Sequence, residues 1–378
     1  MARITGGNVA RLRALARVDP LTPHEAWWLV GLLEAEAHFY VSPNNGGANW
    51  QCGMTVSVRD DDADVLLELA HRTALGRLRS VPARRSSLPQ ARWTIDSRLE
   101  TARLASLLRA FPPIGRHRHE IREWIASVDV LARRRRGTSE DDWRRLEASA
   151  ARMKRFRHFT PGDDRDTGPI PSARLFLAWL GGFFTGEGSL MLDQRRARMA
   201  VRLRRDDRPL LESVRARLGI GAIYDSPAYA RSAPSSCWMV FSRADVAEVA
   251  EVLRRAGLRG RKARQFVAWE AAVEALSGPT DRFVATREAF IEASRYVPPT
   301  TLSYTSRAVS RAYEAYVEVL QAFAAETVGP LTCTAFDEFR VLHPHWPQRN
   351  TIVRTFGSWA EALDAAELRD RAHARSAA

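Results

Sequence analysis

The chain has 378 residues, 45% of them apolar, which is enough material for more than one hydrophobic core and excludes a wholly disordered protein. Its apolar runs are far shorter than the ~20 residues that cross a bilayer, and arginines interrupt the N-terminal stretch where a signal peptide needs apolar residues, so we expect neither a membrane protein nor an exported one. The 57 basic residues outnumber the 44 acidic ones, and the resulting net charge of +13 is typical of proteins that bind polyanions.

The first third of the chain predicts one α-β-β-α-β-β-α unit. It begins with a stretch that is apolar on nearly every face, as in a buried helix. Polar and apolar residues then alternate, which indicates a half-buried strand, and Asp61 and Asp62 are placed to cap the amphipathic helix that follows. The predicted elements are a helix at 24–35, a strand at 51–59, a helix through Leu75, short strands at about 77–81 and 91–96, a helix at 98–110 and a last helix across Trp124.

The second third of the chain repeats the first. Segment 27–39 resembles 178–190 at a spacing of 151 residues, and the spacing falls to 145 after the turn-rich stretch 43–47, where a longer loop costs little. Because prolines, glycines and tryptophans recur together at one spacing, we interpret the chain as an internal duplication. The matched pairs include Met54 with Met199, Arg59 with Arg204, Asp62 with Asp207, Gly76 with Gly221, Pro89 with Pro234, Trp93 with Trp238 and Arg116 with Arg261.

Two further segments lie outside the copies. A linker rich in charge separates them and predicts a charged helix at 139–156, and the tail predicts helices at 280–294 and 306–327 followed by three short ones. The predicted domain bounds are 22–126 for the first copy, 127–170 for the linker, 171–278 for the second copy and 279–378 for a small all-α C-terminal region.

A glutamate ends the first helix of each copy, Glu36 in one and Glu187 in the other. Before each glutamate, small residues stand four apart, a spacing that lets two helix backbones approach closely. These are Gly31 and Ala35 in the first helix and Gly182 and Gly186 in the second. Packing of the two helices would bring the carboxylates together, and such a pair calls for a divalent cation, for which oxygen ligands favour Mg²⁺ or Mn²⁺. A metal site beside basic sheets suits phosphodiester hydrolysis.

The same helices carry a resemblance to a known family. Residues 29–37 (LVGLLEAEA) and 180–188 (LGGFFTGEG) resemble the two signature helices of single-chain LAGLIDADG homing endonucleases, and the resemblance covers about 22–275. It implies an α+β fold, in which a pseudo-twofold duplicated α-β-β-α-β-β-α core carries saddle-shaped antiparallel sheets.

The resemblance also implies roles for particular residues. The family's metal-binding acid is the penultimate motif residue, which implies that Glu36 and Glu187 are the catalytic ligands of Mg²⁺ (or Mn²⁺), helped by the backbone carbonyls of Ala35 and Gly186. The family tends to place a lysine before the final helix of a copy, which implies a catalytic role for Lys262, one of only two lysines in the chain.

The sequence departs from the family pattern mainly in the first copy. It has His117 at the position equivalent to Lys262, and its motif ends in Ala37 where glycine is usual. The second copy has Thr185 where the first has Glu34. We therefore expect the first copy to be the weaker half of the site, and the alternative for Lys262 is a surface cation that faces phosphate.

The polar strand faces predict the DNA contacts. Both faces are expected to lie in adjacent major grooves, the first copy reading its half-site mainly with neutral side chains and the second with arginines. The predicted contacts are Gln51, Thr55, Ser57 and Arg59 in the first copy and Arg198, Arg202 and Arg204 in the second. These faces are not expected to carry the exposed aromatic residues that stack on RNA bases.

The C-terminal segment 331–368 resembles the small helical repeat attached to homing endonucleases, through FGSW at 356–359 and the alanine-rich stretch after it. Its middle helix would lie on DNA like a recognition helix, with Arg349, Asn350 and Arg354 available for contacts. The alternative is a domain that only packs.

These features predict a monomeric, Mg²⁺-dependent endonuclease that cuts double-stranded DNA at a long, imperfectly palindromic site. Two alternatives remain: a catalytically inactive DNA-binding regulator with the same fold, and a maturase that binds intron RNA. Intact acids in both copies favour the enzyme over the regulator. Three scattered cysteines cannot form a disulfide framework, which favours a reducing, cytoplasmic location associated with the nucleoid.

Overall fold

The computed structural model describes residues 20–44, 49–83, 88–133, 139–159, 167–193, 195–229, 232–297, 311–343, 346–356 and 358–372. They form two compact units. One contains the described parts of Leu21–Ser57 and Asp96–Pro298, and the other those of Met1–Pro20, Val58–Ile95 and Pro299–Ala378. Within the described ranges, no helix is long and apolar enough to span a membrane.

The first copy has the order of elements that the sequence predicts. Its first helix begins at a capping box, in which the side chain of Thr22 accepts from the Glu25 N–H while the Glu25 carboxylate accepts from the Thr22 N–H at 2.8 Å. The elements are α1 (Pro23–Glu36), β1 (Ala37–Asn44), β2 (Asn49–Arg59), α2 (Ala63–Thr73), β3 (Arg77–Val81), β4 (Gln90–Ile95), α3 (Arg98–Ala110) and α4 (His117–Arg133).

The linker and the second copy follow. Helix α5 (Glu140–Arg157), capped by Ser139, confirms the charged linker helix. The second copy then consists of α6 (Ala173–Glu187), β5 (Gly188–Asp193), β6 (Arg196–Arg204), α7 (Arg208–Leu218), β7 (Ala222–Ser226), β8 (Ser235–Val240), α8 (Arg243–Ala256) and α9 (Gly260–Ala275). The predicted duplication is confirmed, since each element of one copy has its counterpart in the other.

Each copy contributes a four-stranded antiparallel sheet, with strand orders β1-β2-β4-β3 and β5-β6-β8-β7. A glycine directly precedes β3 and β7. Both glycines adopt the left-handed backbone conformation that favours glycine, with φ of +76° at Gly76 and +75° at Gly221. The buried Trp93 and Trp238 each donate from Nε1 to the carbonyl oxygen of the residue before that glycine, at 2.8 and 2.9 Å. These contacts explain why glycine and tryptophan recur at one spacing.

The tail forms the predicted helices. Helix α10 (Thr280–Ser294) packs Phe283 against Ala272 and Ala275 of α9. The remaining helices are α11 (Arg311–Glu326), α12 (Cys333–Leu342), α13 (Arg349–Phe356) and α14 (Trp359–Ala365). They enclose a separate core that includes Leu320, Phe323, Phe336, Ile352 and Leu363.

The predicted caps of α2 and α7 are wrong. Asp62 and Asp207 stand at the N-cap positions, but neither side chain accepts a hydrogen bond from its helix. A 3₁₀ turn precedes each helix, and the earlier aspartate of each pair binds the arginine two residues before it, with Nε–Oδ1 distances of 2.9 and 2.7 Å. The 3₁₀ turn thus places Asp61 and Asp206 one residue before the N-cap position, where each carboxylate binds a guanidinium group, and the carboxylate of Asp207 binds Arg116 instead of its helix. The pairs are Arg59–Asp61 and Arg204–Asp206.

Candidate active site

Helices α1 and α6 cross at two glycines. A Cβ atom added at Gly31 would overlap the carbonyl oxygen of Trp179, and one added at Gly182 would overlap that of Trp28. The two contacts are equivalent, because Gly182 and Trp179 stand 151 residues after Gly31 and Trp28. Such reciprocity defines a two-fold relation, here between two copies in one chain. The predicted close approach at small residues is confirmed.

The helix ends bring the two predicted acids together beside this crossing. A Cβ atom added at Gly186 would lie 2.8 Å from Glu36 Cγ and 3.1 Å from Glu36 Oε1, so the Glu36 side chain lies against the backbone just before Glu187. Burial, followed by the negative charges of Glu36 and Asp207, raises the pKa of Glu187 to about 7. The two carboxylates therefore repel each other across the pseudo-twofold axis.

Backbone oxygens add to the negative charge at this point. In each helix, the first N–H after the helix donates to the carbonyl three residues before the acid. The carbonyl groups that follow in each helix, among them those of Ala35 and Gly186, consequently accept no hydrogen bond from an N–H of their helix. Two helix C-termini thus converge near the acids, and each carries the partial negative charge of its helix dipole.

Lys262 and His117 occupy equivalent positions in the two copies but have different surroundings. Lys262 is buried, and its Nζ donates to the carbonyl oxygen of Gly188, the residue after Glu187. A surface cation facing phosphate is therefore the wrong description of this lysine. The His117 side chain is 23% exposed, and its Nδ1 lies 3.5 Å from Glu120 Oε2 in its own helix.

A buried carboxylate that was not predicted as a site residue joins the two copies beside the acids. Glu34 is 4% exposed and accepts hydrogen bonds from the Ile114 N–H at 3.1 Å, from Trp179 Nε1 at 2.8 Å and from the Gly115 N–H. Burial raises the pKa of Glu34 even though three donors face it. Because Trp179 belongs to α6, this side chain connects the start of α4 to the helix of the other copy.

An ion pair also links the copies. Arg116 of the first copy binds Asp207 of the second, with 2.6 Å between Nε and Oδ2. Both border a small cavity of about 120 Å³ that also meets Glu34, His117 and Glu187. Both residues belong to matched pairs of the repeat, Arg116 with Arg261 and Asp207 with Asp62. The repeat alone does not reveal that Arg116 of one copy binds Asp207 of the other.

Two of the predicted base-reading arginines have internal partners. The Asp61 and Asp206 side chains that bind Arg59 and Arg204 are only 4% and 1% exposed. Arg204 also donates to the carbonyl oxygen of Arg157 in α5. These guanidinium groups therefore already stabilise the protein itself, and any DNA contact would have to use their remaining donors.

The other predicted contacts on the strands are more available. Arg202 is exposed, and its donors within the described part of the chain reach neutral hydroxyl groups, Ser235 Oγ at 3.2 Å and Ser226 Oγ at 3.3 Å. Arg198 lies 3.2 Å from the exposed carboxylate of Asp193. In the first copy, the predicted contacts Gln51, Thr55 and Ser57 are half-buried on β2.

The second sheet also carries exposed aromatic side chains. Arg202 lies opposite Cys237, which lies opposite Tyr224, and residues opposite one another in a sheet point to the same face. Tyr224 is 46% exposed and Phe241, just after β8, is 52% exposed. The expectation of strand faces without exposed aromatic residues thus holds for β2 and β6 but is wrong for this part of the sheet.

The predicted contacts of the C-terminal helices lie on α13. Asn350 is exposed, and Arg349 Nε lies 3.3 Å from Asp337 Oδ2. The side chain of Arg354 lies outside the described part of the structure. Phe356 is buried in the core, and Trp359 Nε1 donates to the Leu331 carbonyl at 2.8 Å, so this segment holds the helices together.

The fold is that of single-chain LAGLIDADG endonucleases. The chain is similar to I-SmaMI bound to an uncleaved DNA target in the presence of calcium ions, with a TM-score of 0.57 and 16% identity over 73% of this chain and 100% of that one. It is also similar to the LAGLIDADG meganuclease I-AabMI bound to uncleaved DNA (TM-score 0.58, 14% identity, 72% and 98% covered). A third similar structure is the LAGLIDADG homing endonuclease I-GzeII in complex with a DNA target (TM-score 0.57, 14% identity, 72% and 97% covered). No family model and no curated protein matches the sequence.

Proposed function

We propose that the chain is a metal-dependent endonuclease that hydrolyses phosphodiester bonds of double-stranded DNA at a long, imperfectly palindromic site. The observation that carries this proposal is the pairing of Glu36 and Glu187 at the ends of two helices that cross at glycines. A bound divalent cation would offset the repulsion between two acids held this close together. One chain supplies both halves of the site, so a monomer suffices.

The donor set fits Mg²⁺ or Mn²⁺. Among the described residues, no group of three or more His, Cys, Asp or Glu side chains is arranged to hold a metal ion. Mg²⁺ usually takes only one or two carboxylates from a protein and completes its shell with phosphate and water oxygens. Glu36 and Glu187 would be these carboxylates, with the carbonyls of Ala35 and Gly186 beside them. When bound, the cation would polarise the phosphate and lower the pKa of a bound water.

The surrounding residues would keep the acids in place. Lys262 fixes the carbonyl of Gly188 and so the backbone directly after Glu187. The Arg116–Asp207 pair and Glu34 hold the two copies together next to the same point. Because a ligand carboxylate must be ionised, Glu187 would release its proton when the cation binds. Lys262, Arg116 and Glu34 thus act as positioning residues.

Double-stranded DNA is the proposed partner for two reasons. The chain has a net charge of +13, and nearly all of its basic residues are arginines. The three similar solved structures are complexes with DNA. Exposed Arg202 and the polar residues of β2 would contact base edges, while Arg349, Asn350 and Arg354 would extend the contacts beyond the core.

The test compares Glu36→Gln and Glu187→Gln with Glu147→Gln, which alters an exposed glutamate of the linker helix. Full-length proteins are incubated with a randomised duplex library in Mg²⁺ for cleavage and in Ca²⁺ for binding. Each acid variant should cut about 10²–10³-fold more slowly, or not at all, because an electrostatic contribution to the transition state is lost. Binding in Ca²⁺ and the Glu147→Gln variant should be unaffected.

Two results would contradict the proposal. A single acid variant that still makes double-strand breaks at the normal rate would remove the acids from catalysis. A wild-type protein that binds selected duplexes but never cuts them in Mg²⁺ or Mn²⁺ would make the chain a DNA-binding regulator.

A further inference from the structure

A recess of about 650 Å³ opens on the second copy, where the β5–β6 hairpin meets the end of β8 and the end of α9. Aromatic and aliphatic side chains line it together with four arginines. The apolar residues include Tyr224, Met239, Phe241 and Val246, and the arginines are Arg195, Arg196, Arg198 and Arg243.

Part of the apolar lining of the recess lies on the sheet face that carries Arg202. Tyr224 shares that face through Cys237, and Met239 follows Cys237 two residues later on β8. Phe241 comes just after the strand, and its ring lies beside that of Tyr224. The rings of Tyr224 and Phe241 are 6.4 Å apart between centroids and tilted by 46°. Two aromatic side chains about half exposed on a basic sheet face form a patch of the kind that marks an interaction site.

The charge around the recess favours a polyanion. Of the four arginines, only Arg198 has a carboxylate within ion-pairing distance in the described ranges. Arg195 donates to the carbonyl oxygens of Leu276 and Gly278 and to Thr280 Oγ1, and Arg243 donates to Ser277 Oγ. Neutral acceptors leave the positive charge uncompensated, so an apolar surface here is framed by positive potential.

Resting on the proposed DNA endonuclease function, we propose that this recess binds the C5 methyl groups of thymines in the major groove. Tyr224, Met239 and Phe241 would then determine specificity in the half-site under the second copy. The thymine methyl is the one apolar group that base pairs present in the major groove, and the phosphates on either side would meet the arginines.

The geometry favours methyl contacts over stacking on single strands. A base stacks on an aromatic side chain when the ring offers an open face, as in single-strand binding platforms. Here the two rings are tilted by 46° with their centroids 6.4 Å apart, so they form one shared apolar surface that is not a flat platform for a base. That surface suits a small methyl group.

The first copy lacks this surface. The residues 145 positions before Tyr224, Met239 and Phe241 are Arg79, Thr94 and Asp96, which are all polar. Apolar readout is therefore expected in one half-site only.

The test uses the full-length protein in Ca²⁺ and a duplex selected from a randomised library. Each thymine is replaced in turn by deoxyuridine, which removes the methyl and keeps every hydrogen-bonding group. At one or two positions in one half-site the wild-type protein should bind about fourfold more weakly for each methyl removed, the factor that burial of one such group gives. Phe241→Ala and Tyr224→Ala should bind the thymine duplex more weakly and no longer distinguish it from the deoxyuridine duplex.

Val267→Ala is the matched control, because it truncates an apolar side chain that is 66% exposed on α9. It should keep the full methyl effect, and Phe241→Leu, which keeps an apolar side chain, should retain part of it if Phe241→Ala fails to fold. The inference is overturned if no deoxyuridine substitution weakens wild-type binding, or if Phe241→Ala keeps the methyl effect. Loss of single-strand binding in that variant, with duplex binding intact, would make the recess a stacking site instead. A wild-type protein that selects no duplex at all would overturn the proposed function itself.

Discussion

The two copies of the repeat agree in the contacts that they bury. Trp93 and Trp238 make the same hydrogen bond, and so do the N–H groups of Asp60 and Arg205, which donate to the carbonyl oxygens of matched prolines at 3.1 and 2.9 Å. The pairs Arg59–Asp61 and Arg204–Asp206 are likewise equivalent. Residues that match between the copies are thus largely those with an internal partner.

The copies differ where a side chain faces the acids or the sheet surface. At equivalent positions of the repeat, the first copy has Glu34, His117 and Asp96, and the second has Thr185, Lys262 and the aromatic Phe241. The paired acids themselves are kept in both copies. The repeat therefore preserves the scaffold and the paired acids, while several side chains beside the acids and on the sheet surface differ between the two halves.

The largest expected effect concerns the crossing of α1 and α6, to which both copies contribute an equivalent glycine. Gly31→Ala and Gly182→Ala should each lower the free energy of unfolding by about 3 kcal/mol, the upper end for over-packing, because the added methyl meets a backbone oxygen that cannot rotate away. Gly278→Ala is the control, since its added Cβ would lie 3.5 Å from the nearest atom. Denaturant unfolding measures all three, and unequal losses at Gly31 and Gly182 would argue against a symmetric crossing.

Much of this shared part could be predicted from the sequence. Helices 98–110 and 243–256 match the structure residue for residue, because their caps and apolar periods are local features. The acids Glu36 and Glu187 were found through the repeat combined with the spacing of small residues. Contacts between the copies, such as Arg116–Asp207, could not be derived, since they depend on how two distant segments meet.

The strand faces show where sequence reasoning stops. Alternation correctly placed Arg204 on the polar face of β6, but only the structure shows that Asp206 already binds it. Tyr224 of β7 lies on the same face as Arg202 of β6 because both lie opposite Cys237, which alternation within a single strand does not reveal.

Removal of the matched arginines should affect both copies alike. Arg59→Ala and Arg204→Ala should each cost about 2 kcal/mol of unfolding free energy, somewhat less than the ~3–5 kcal/mol of a fully buried pair, because a nearly buried aspartate loses its cation. Arg144→Ala, in an exposed pair with Glu140, should cost less than about 1 kcal/mol. Thermal unfolding compares them, and a stability loss confined to one copy would show that the pairs are not equivalent.

Glu187 of the second copy should contribute to the pH dependence of stability. The folded-state pKa of Glu187 is raised to about 7 from an ordinary value of 4.5, so its contribution is fully present below pH 4.5 and is lost as the pH rises through 7. In metal-free protein this amounts to on the order of 1–2 kcal/mol after allowance for screening. Melting between pH 4 and 8 in a chelator should show a decline that Glu187→Gln flattens.

Glu36→Gln should flatten that decline only in part, because burial outweighs the charge of Glu36 as a cause of the raised pKa. Glu147→Gln should leave the profile unchanged. A wild-type profile parallel to that of Glu187→Gln would mean that Glu187 titrates near its ordinary value.

The smallest expected effect separates the two half-sites. Arg202 and Ser57 are equivalent positions on β6 and β2, but an exposed guanidinium can bind guanine through two hydrogen bonds and a serine hydroxyl cannot. Arg202→Ala should therefore lose about 1 kcal/mol or more of base discrimination at one or two positions, and Ser57→Ala clearly less. Selection from a randomised duplex library by wild type and each variant measures the discrimination at every position.

If Arg202 binds only phosphate, its loss would instead weaken binding to all sequences alike. The slope of the salt dependence of binding would then fall by about one unit, because one fewer counterion would be released. Base reading would be assigned to the Arg202 face of the second copy if Arg202→Ala removed a guanine preference while the preferences of the other half-site persisted. Unchanged preferences in both halves would refute that assignment.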